Sequence, residues 1–399
     1  MVKQLFAAVS LLALAACSSE APEDTSGDAN RIAQDTIIVD GHIDVPYRLD
    51  AAWEDVSGST EKGDFDYNRA VAGGLNAPFM SIYTPAHYDG TEKAKTHAED
   101  MIAIVERMVA EAPTKFRIAK SVADVEQAFA DGVIALPLGM ENGSPIMGDL
   151  ENLDYFYERG IRYITLAHSK SNDISDSSYD VNRQWNGLSD FGQSVVQRMN
   201  ELGIMVDISH VSDDAFWQVM DLAAVPPIAT HSSARHFTPG FERNMSDDMI
   251  KALANKGGVI MINYGSAFLT EAANKYGPAM DEEYLKYLAD NGLEDSTDLK
   301  DQFETNYRKT NPYPYATTDD VLDHIDHVVK LAGIDYVGIG SDYDGVGDSL
   351  PTGLKDAASY PALVAGLIER GYAEEDIKKI LSGNILRVWR TTEAYAASH

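Results

Sequence analysis

Residues 204–233 read IMVDISHVSDDAFWQVMDLAAVPPIATHSS. Two short apolar runs, Ile204–Ser209 and Pro227–Thr230, flank an amphipathic, helix-like stretch, Ser212–Leu222. Near-continuous apolar character, rather than strict alternation, marks strands covered on both faces, as in parallel sheets. Each run is followed at once by a histidine, His210 and His231. The unit therefore predicts strand, helix and strand, with an imidazole at the end of each strand.

Outward from this unit the same rhythm continues. Upstream, predicted strands fall at Thr36–Asp40, Pro78–Tyr83, Val133–Met140 and Tyr163–Ala167; downstream, at Val259–Asn263 and Tyr336–Gly340. Helix-like segments lie at Lys93–Ala110, Leu150–Arg159, Ser189–Leu202, Ser246–Asn255, Thr318–Leu331 and Tyr360–Arg370. Several open on an N-cap residue and close at glycine, as Ser246 and Gly257 do, or Thr318 and Gly333. Eight strands alternating with helices predict an α/β fold, a single (β/α)₈ TIM-type barrel of the metal-dependent hydrolase kind. An open doubly wound sheet is the alternative. The rhythm breaks once, at Ser266–Ala316, a long insertion after the seventh strand on the face where barrels carry their active groups. It reads either as a lid that selects substrate or as a solvated elaboration.

The chain has 399 residues, 44% of them hydrophobic, and a formal net charge of −31. So acidic a surface repels phosphate backbones and excludes nucleic acid as a partner, while it attracts divalent cations. Cys17 is the single cysteine, so neither an intrachain disulfide nor a cysteine-based zinc or iron–sulfur site can form. The start MVK, an apolar run Leu5–Ala16 and LAAC at Leu14–Cys17 read as a lipoprotein signal peptide over residues 1–16. Cys17 is then the lipidation site. Residues 17–30 read as a flexible tether and 31–395 as the barrel. The expected location is a bacterial cell envelope, exported and lipid-anchored, with Ser18 after the cysteine pointing to the periplasmic face of the outer membrane.

Polar residues gather at the predicted strand ends. The first strand runs into Asp40-Gly41-His42-Ile43-Asp44, where His42 and Asp44, two apart on an extended segment, point the same way. The third ends at Glu141 and the eighth at Gly340-Ser341-Asp342. His42, Asp44, Glu141, His210, His231 and Asp342 supply enough nitrogen and carboxylate ligands for two divalent ions if one carboxylate bridges them. Such a pair lowers the pKa of a bound water and polarises a carbonyl. Asp342, surplus to the ligands, is the candidate proton carrier between attacking water and leaving amine. His168, after the fourth strand, reads as a further ligand and Arg243 as a surface arginine.

These stretches, in this order, resemble the membrane (renal) dipeptidases, zinc metallopeptidases on an amidohydrolase-type barrel. The likeness is carried by DGHIDVPYRL (Asp40–Leu49), GGLNAPFMSIYTP (Gly73–Pro85), GMENGSPI (Gly139–Ile146) and GIRYITLAHSKSND (Gly160–Asp173). It continues through DISHVSDDAFWQV (Asp207–Val219), ATHSSAR (Ala229–Arg235), RNMSDD (Arg243–Asp248) and GIGSDYDGV (Gly338–Val346). The resemblance implies two Zn²⁺ per chain, His42 and Asp44 on one, His210 and His231 on the other, and Glu141 bridging. It implies Asp342 as the acid/base group that also meets the substrate's amino group, and His168 as the residue that steadies the tetrahedral oxyanion. Arg243 is implied as the receiver of the substrate's C-terminal carboxylate. A site that reads a free amine and a free carboxylate has room for one amide bond between them, hence dipeptides, including those with a C-terminal D-residue. A homodimer is implied without any legible interface.

Two alternatives stand beside this. One is a related amidohydrolase acting on N-acyl amino acids, lactones or phosphoesters; the other is a peptide-binding lipoprotein without turnover. His87, His97, His236, His324 and His327 receive no role, and His324 and His327, three apart on a predicted helix, are expected to pack rather than to bind metal.

Overall fold

The computed structural model describes residues 26–399; the signal-peptide and Cys17 expectations lie outside the described residues. Nine strands form one all-parallel sheet: β1 Val39–Ile43, β2 Ala77–Tyr83, β3 Phe116–Ala119, β4 Ile134–Glu141, β5 Ile161–Thr165, β6 Met205–Asp207, β7 Ile228–Ala229, β8 Val259–Ile262 and β9 Val337–Ile339. Eight of them close into a barrel because β2 pairs with the second half of β4, Leu138–Glu141. The open doubly wound alternative is therefore excluded.

The eight barrel strands are those expected, displaced by a few residues. The ninth, β3, was not foreseen. It pairs with the first half of β4, Ile134–Pro137, and lies outside the closed ring. Helices Ser26–Asp35, Val45–Ala51, Tyr67–Gly73 and Val122–Asp131 were likewise unforeseen. The first of these begins at Ser26, inside the stretch read as tether.

The barrel interior is packed from bottom to top. Val39, Ala77, Ile228 and Val259, at the strand starts, join Phe79, Tyr163 and Met261 in one buried cluster, closed from below by Val388 and Trp389 of the C-terminal helix Asn384–Ala396. The Phe79 ring lies 5.3 Å from Trp389 and 5.2 Å from Tyr163. Gly139 makes the Tyr163 layer possible, since a Cβ there would fall 1.9 Å from the Tyr163 ring. Above this layer the interior turns polar.

The insertion folds as three helices, Ser266–Leu269, Glu271–Asn291 and Thr297–Thr310. Its root is buried at Ser266 and Leu269, while the Thr297–Thr310 helix buries no residue. Among the described residues no helix is long and apolar enough to cross a membrane.

Candidate metal centre

At the upper strand ends the chain folds back through short acidic or amide side chains. Asp40 Oδ1 accepts from the backbone N–H of His42 (3.1 Å) and of Ser341 (3.0 Å), joining β1 to β9. Asp207 Oδ1 does the same with Ser209 (3.0 Å) and Thr230 (2.9 Å), joining β6 to β7. Asn142 and Asn263 close onto the N–H groups of Ser144 (3.2 Å) and Gly265 (2.7 Å). Such side chains bond their own backbone two residues on and set the direction of the residues that follow. His210 (φ 69°) and Asp342 (φ 63°) are then held in left-handed backbone. For a non-glycine residue this costs about 1–3 kcal/mol and persists where the surroundings over-determine it.

The side chains so aimed meet around Glu141, which is 4% exposed. Its Oε2 lies 3.5 Å from His42 Nε2. Its Oε1 faces His210 Nε2 at 3.2 Å, His231 Nε2 at 3.3 Å and His168 Nε2 at 3.6 Å. One carboxylate is thus shared between a single imidazole on one oxygen and three on the other. His42 Nε2 also lies 3.3 Å from Asp44 Oδ2. Ligand atoms of His42, Glu141 and His231, of Glu141, His168 and His210, and of His42, Asp44 and Asp342 are each close enough to share an ion. Asp44 does not continue the strand as expected; it occupies the N-cap position of the helix Val45–Ala51 with its side chain making no capping bond.

Electrostatics mark the same centre. Burial would raise the Glu141 carboxyl, but the facing His42 and His168, with His210 and His231 close beside it, hold it well below its ordinary value. Burial drives His210 and His231 far down. Burial, then the Asp44 carboxylate, pushes Asp342 up to about 8. Nearby cations favour the charged form of a carboxylate and would reverse that rise.

Three buried imidazole nitrogens in the cluster, His42 Nε2, His168 Nδ1 and His210 Nδ1, have no hydrogen-bond partner. His210 Nε2 and His231 Nε2 stand 2.9 Å apart. Buried polar atoms are normally satisfied, so the unpartnered His42 Nε2 facing Glu141, together with the close approach of His210 Nε2 and His231 Nε2 on its other oxygen, fits a divalent cation.

Asp342 accepts from Asn263 Nδ2 at 2.7 Å. Gly345 leaves no room beside it, since a Cβ there would fall 2.2 Å from Asp44 Oδ2 and 2.3 Å from Asp342 Oδ1. Arg243 is no surface residue: it is 3% exposed, with Nη1 on Ser232 Oγ (2.7 Å) and Nη2 on the His231 carbonyl (2.9 Å). Its Nε is buried without a partner, and the insertion's Phe268 ring lies 5.3 Å from its guanidinium. A buried guanidinium with a free donor suits an anion. His168 lies edge-on to Tyr83 at 4.8 Å, and Tyr179 stands 5.9 Å from the His210 ring.

The reading of the residues alone missed Tyr83, Tyr163, Tyr179, Asp207, Thr230 and Asn263. Asp207 carried a signal, as a carboxylate inside an otherwise apolar strand requires partners.

The remaining histidines stay apart. His324 is buried, with Nδ1 accepting from the Ala234 N–H and Nε2 on the Leu269 carbonyl, both at 3.0 Å. His236, Asp247 and His327 form a second cluster, with His327 Nε2 2.8 Å from Asp247 Oδ1. There the two imidazoles stack 4.4 Å apart at 19°. Nitrogen lone pairs lie in the ring plane, so nearly parallel rings do not converge on one ion.

The sequence model of a family described as membrane dipeptidase (peptidase family M19) matches residues 27–399. An uncharacterised dipeptidase of Schizosaccharomyces pombe is 29% identical over 373 residues, 89% of this chain and 81% of the relative. The crystal structure of the probable dipeptidase PvdM from Pseudomonas aeruginosa superposes with a TM-score of 0.82 at 28% identity, covering 94% of this chain and all (100%) of the other. A metallopeptidase from Rhodobacter sphaeroides, liganded with a phosphinate mimic of the dipeptide L-Ala-D-Ala, gives 0.73 at 26% identity, with 90% and 99% covered.

Proposed function

The chain belongs to the membrane dipeptidase family, and from that premise we propose that it is a zinc dipeptidase with a two-ion centre built on Glu141. It is a metallo-dipeptidase, a hydrolase of peptide bonds. The observation that carries the two-ion reading is the division of Glu141, with one oxygen toward His42 and the other toward His210 and His231. In this reading His42 and Asp44 hold the first Zn²⁺, His210 and His231 the second, and Glu141 joins them. Ions bound there supply an activated water and a polarised carbonyl.

The chain's own groups do the rest. Arg243, buried with Nε free, binds the substrate's C-terminal carboxylate. Asp342, oriented by Asn263, receives the proton of the attacking water and delivers it to the leaving amine. His168, kept neutral by burial, donates to the developing oxyanion. Anchors for both termini leave space for one amide bond, which favours dipeptides over longer chains. The reading extends to substrates with a C-terminal D-residue, supported by the L-Ala-D-Ala mimic held by the Rhodobacter sphaeroides enzyme. A lipid anchor at Cys17 in the cell envelope is supported by the LAAC stretch at Leu14–Cys17.

The test is metal analysis of purified protein beside a panel of dipeptides and their N-acetylated forms. Zinc near two equivalents, with hydrolysis lost on acetylation, is expected. Turnover of the blocked substrates at equal rate would favour the wider amidohydrolase reading instead.

A further inference from the structure

One polar chain under the metal centre is unused by the mechanism above. Asp207 Oδ2 receives the hydroxyls of Thr165 (2.5 Å) and Thr230 (2.7 Å), while Oδ1 receives two backbone N–H groups. Thr230 Oγ1 in turn lies 2.7 Å from His231 Nδ1. All of these side chains are buried. A threonine hydroxyl has one hydrogen. Here that hydrogen lies toward Asp207, because two bare oxygens at 2.7 Å would repel. The hydroxyl can then only accept from His231, so Nδ1 carries the imidazole proton and Nε2 keeps its lone pair. That lone pair faces Glu141 Oε1 at 3.3 Å and His210 Nε2 at 2.9 Å, an arrangement suited to a cation.

We propose that Asp207, acting through Thr230, is a positioning residue that fixes His231 as its Nδ1–H tautomer and so makes Nε2 a metal ligand. The inference rests on the two-ion reading for its ligand but not for the tautomer itself. Outer partners of this kind set the tautomer and orientation of ligating histidines, and their loss typically weakens metal binding about 10–100-fold.

The change Asp207→Asn keeps shape and reverses polarity. Its amide, turned toward Thr230, donates instead of accepting; the Thr230 hydroxyl then donates to Nδ1, and His231 is left protonated at Nε2. The experiment uses the full folded chain, with ¹⁵N-histidine NMR on metal-free protein and Zn²⁺ titration of the same samples. Wild type is expected to show His231 protonated at Nδ1 and to bind two equivalents. Asp207→Asn is expected to show the Nε2–H form and to bind one of the two about 10–100-fold more weakly. Thr230→Val should weaken the same site and Thr230→Ser restore it, a comparison that also carries the test if Asp207→Asn does not fold. Wild type protonated at Nε2, wild-type zinc affinity in Asp207→Asn, or equal loss in Thr230→Val and Thr230→Ser would each overturn the relay. A wild type with the expected tautomer and no zinc uptake would overturn the two-ion reading alone.

Discussion

The phenol oxygen of Tyr163 stands 2.9 Å from Nδ1 of His42. The ring reaches that position from inside the barrel, passing over Gly139 and resting on Phe79. If His42 ligates through Nε2, its Nδ1–H donates to Tyr163, and the hydrophobic stack below becomes the support of a metal ligand. Tyr163→Phe keeps the stack and removes the acceptor, so Zn²⁺ affinity should fall about tenfold or more while folding is retained. Gly139→Ala should do more damage, since the ring must move; overpacking of this kind costs about 1–3 kcal/mol. Zinc titration and thermal melts of both variants measure this.

Asp342 differs from the other carboxylates of the centre in its partner, Asn263. As proton carrier it should be dispensable for binding ions and indispensable for turnover. Asp342→Asn is expected to keep both ions and to lose about 10²–10⁴-fold in kcat. Because its oxygen also comes within ligand range of His42 and Asp44, metal analysis of this variant is decisive; loss of an ion would make it a ligand.

His324 ties the segment after β7 to the root of the insertion, accepting at one nitrogen and facing a carbonyl with the other. Burial lowers its pKa to about 4 from 6.5. The unfolded chain therefore takes up a proton before the folded one does. The contribution is full above about pH 6.5 and is lost as pH falls toward 4, amounting to about 3 kcal/mol over that window. The stability difference between wild type and His324→Gln should shrink by about that amount from pH 7 to pH 4 in denaturant titrations.

Cys17 closes the LAAC stretch at Leu14–Cys17. Cys17→Ala should move the protein from the membrane fraction to the soluble fraction of its host. An unchanged membrane fraction would contradict lipidation at Cys17.

The barrel was legible because its strands are short apolar runs that each end in polar residues, as at Ile204–His210. The four-residue β3, with Arg117 and Ile118 only half-buried, offers too little apolar pattern to stand out. The convergence of His42, Glu141, His210 and His231 could be anticipated, because strand ends of one barrel share a rim. Arg243 looked like a surface residue because only the fold reveals that its loop buries it beneath Phe268. Tyr163 read as one more strand residue. Its role depends on Gly139, its register partner on the neighbouring strand, and that is a fact of barrel register rather than of local pattern.

A pair of cations astride Glu141 would scatter anomalously, and X-ray diffraction at the zinc edge locates each ion. Crystals of zinc-loaded protein should show two peaks about 3.5–4 Å apart, one against His42 and Asp44 and the other against His210 and His231. A single peak, or none within reach of Glu141, would contradict the account.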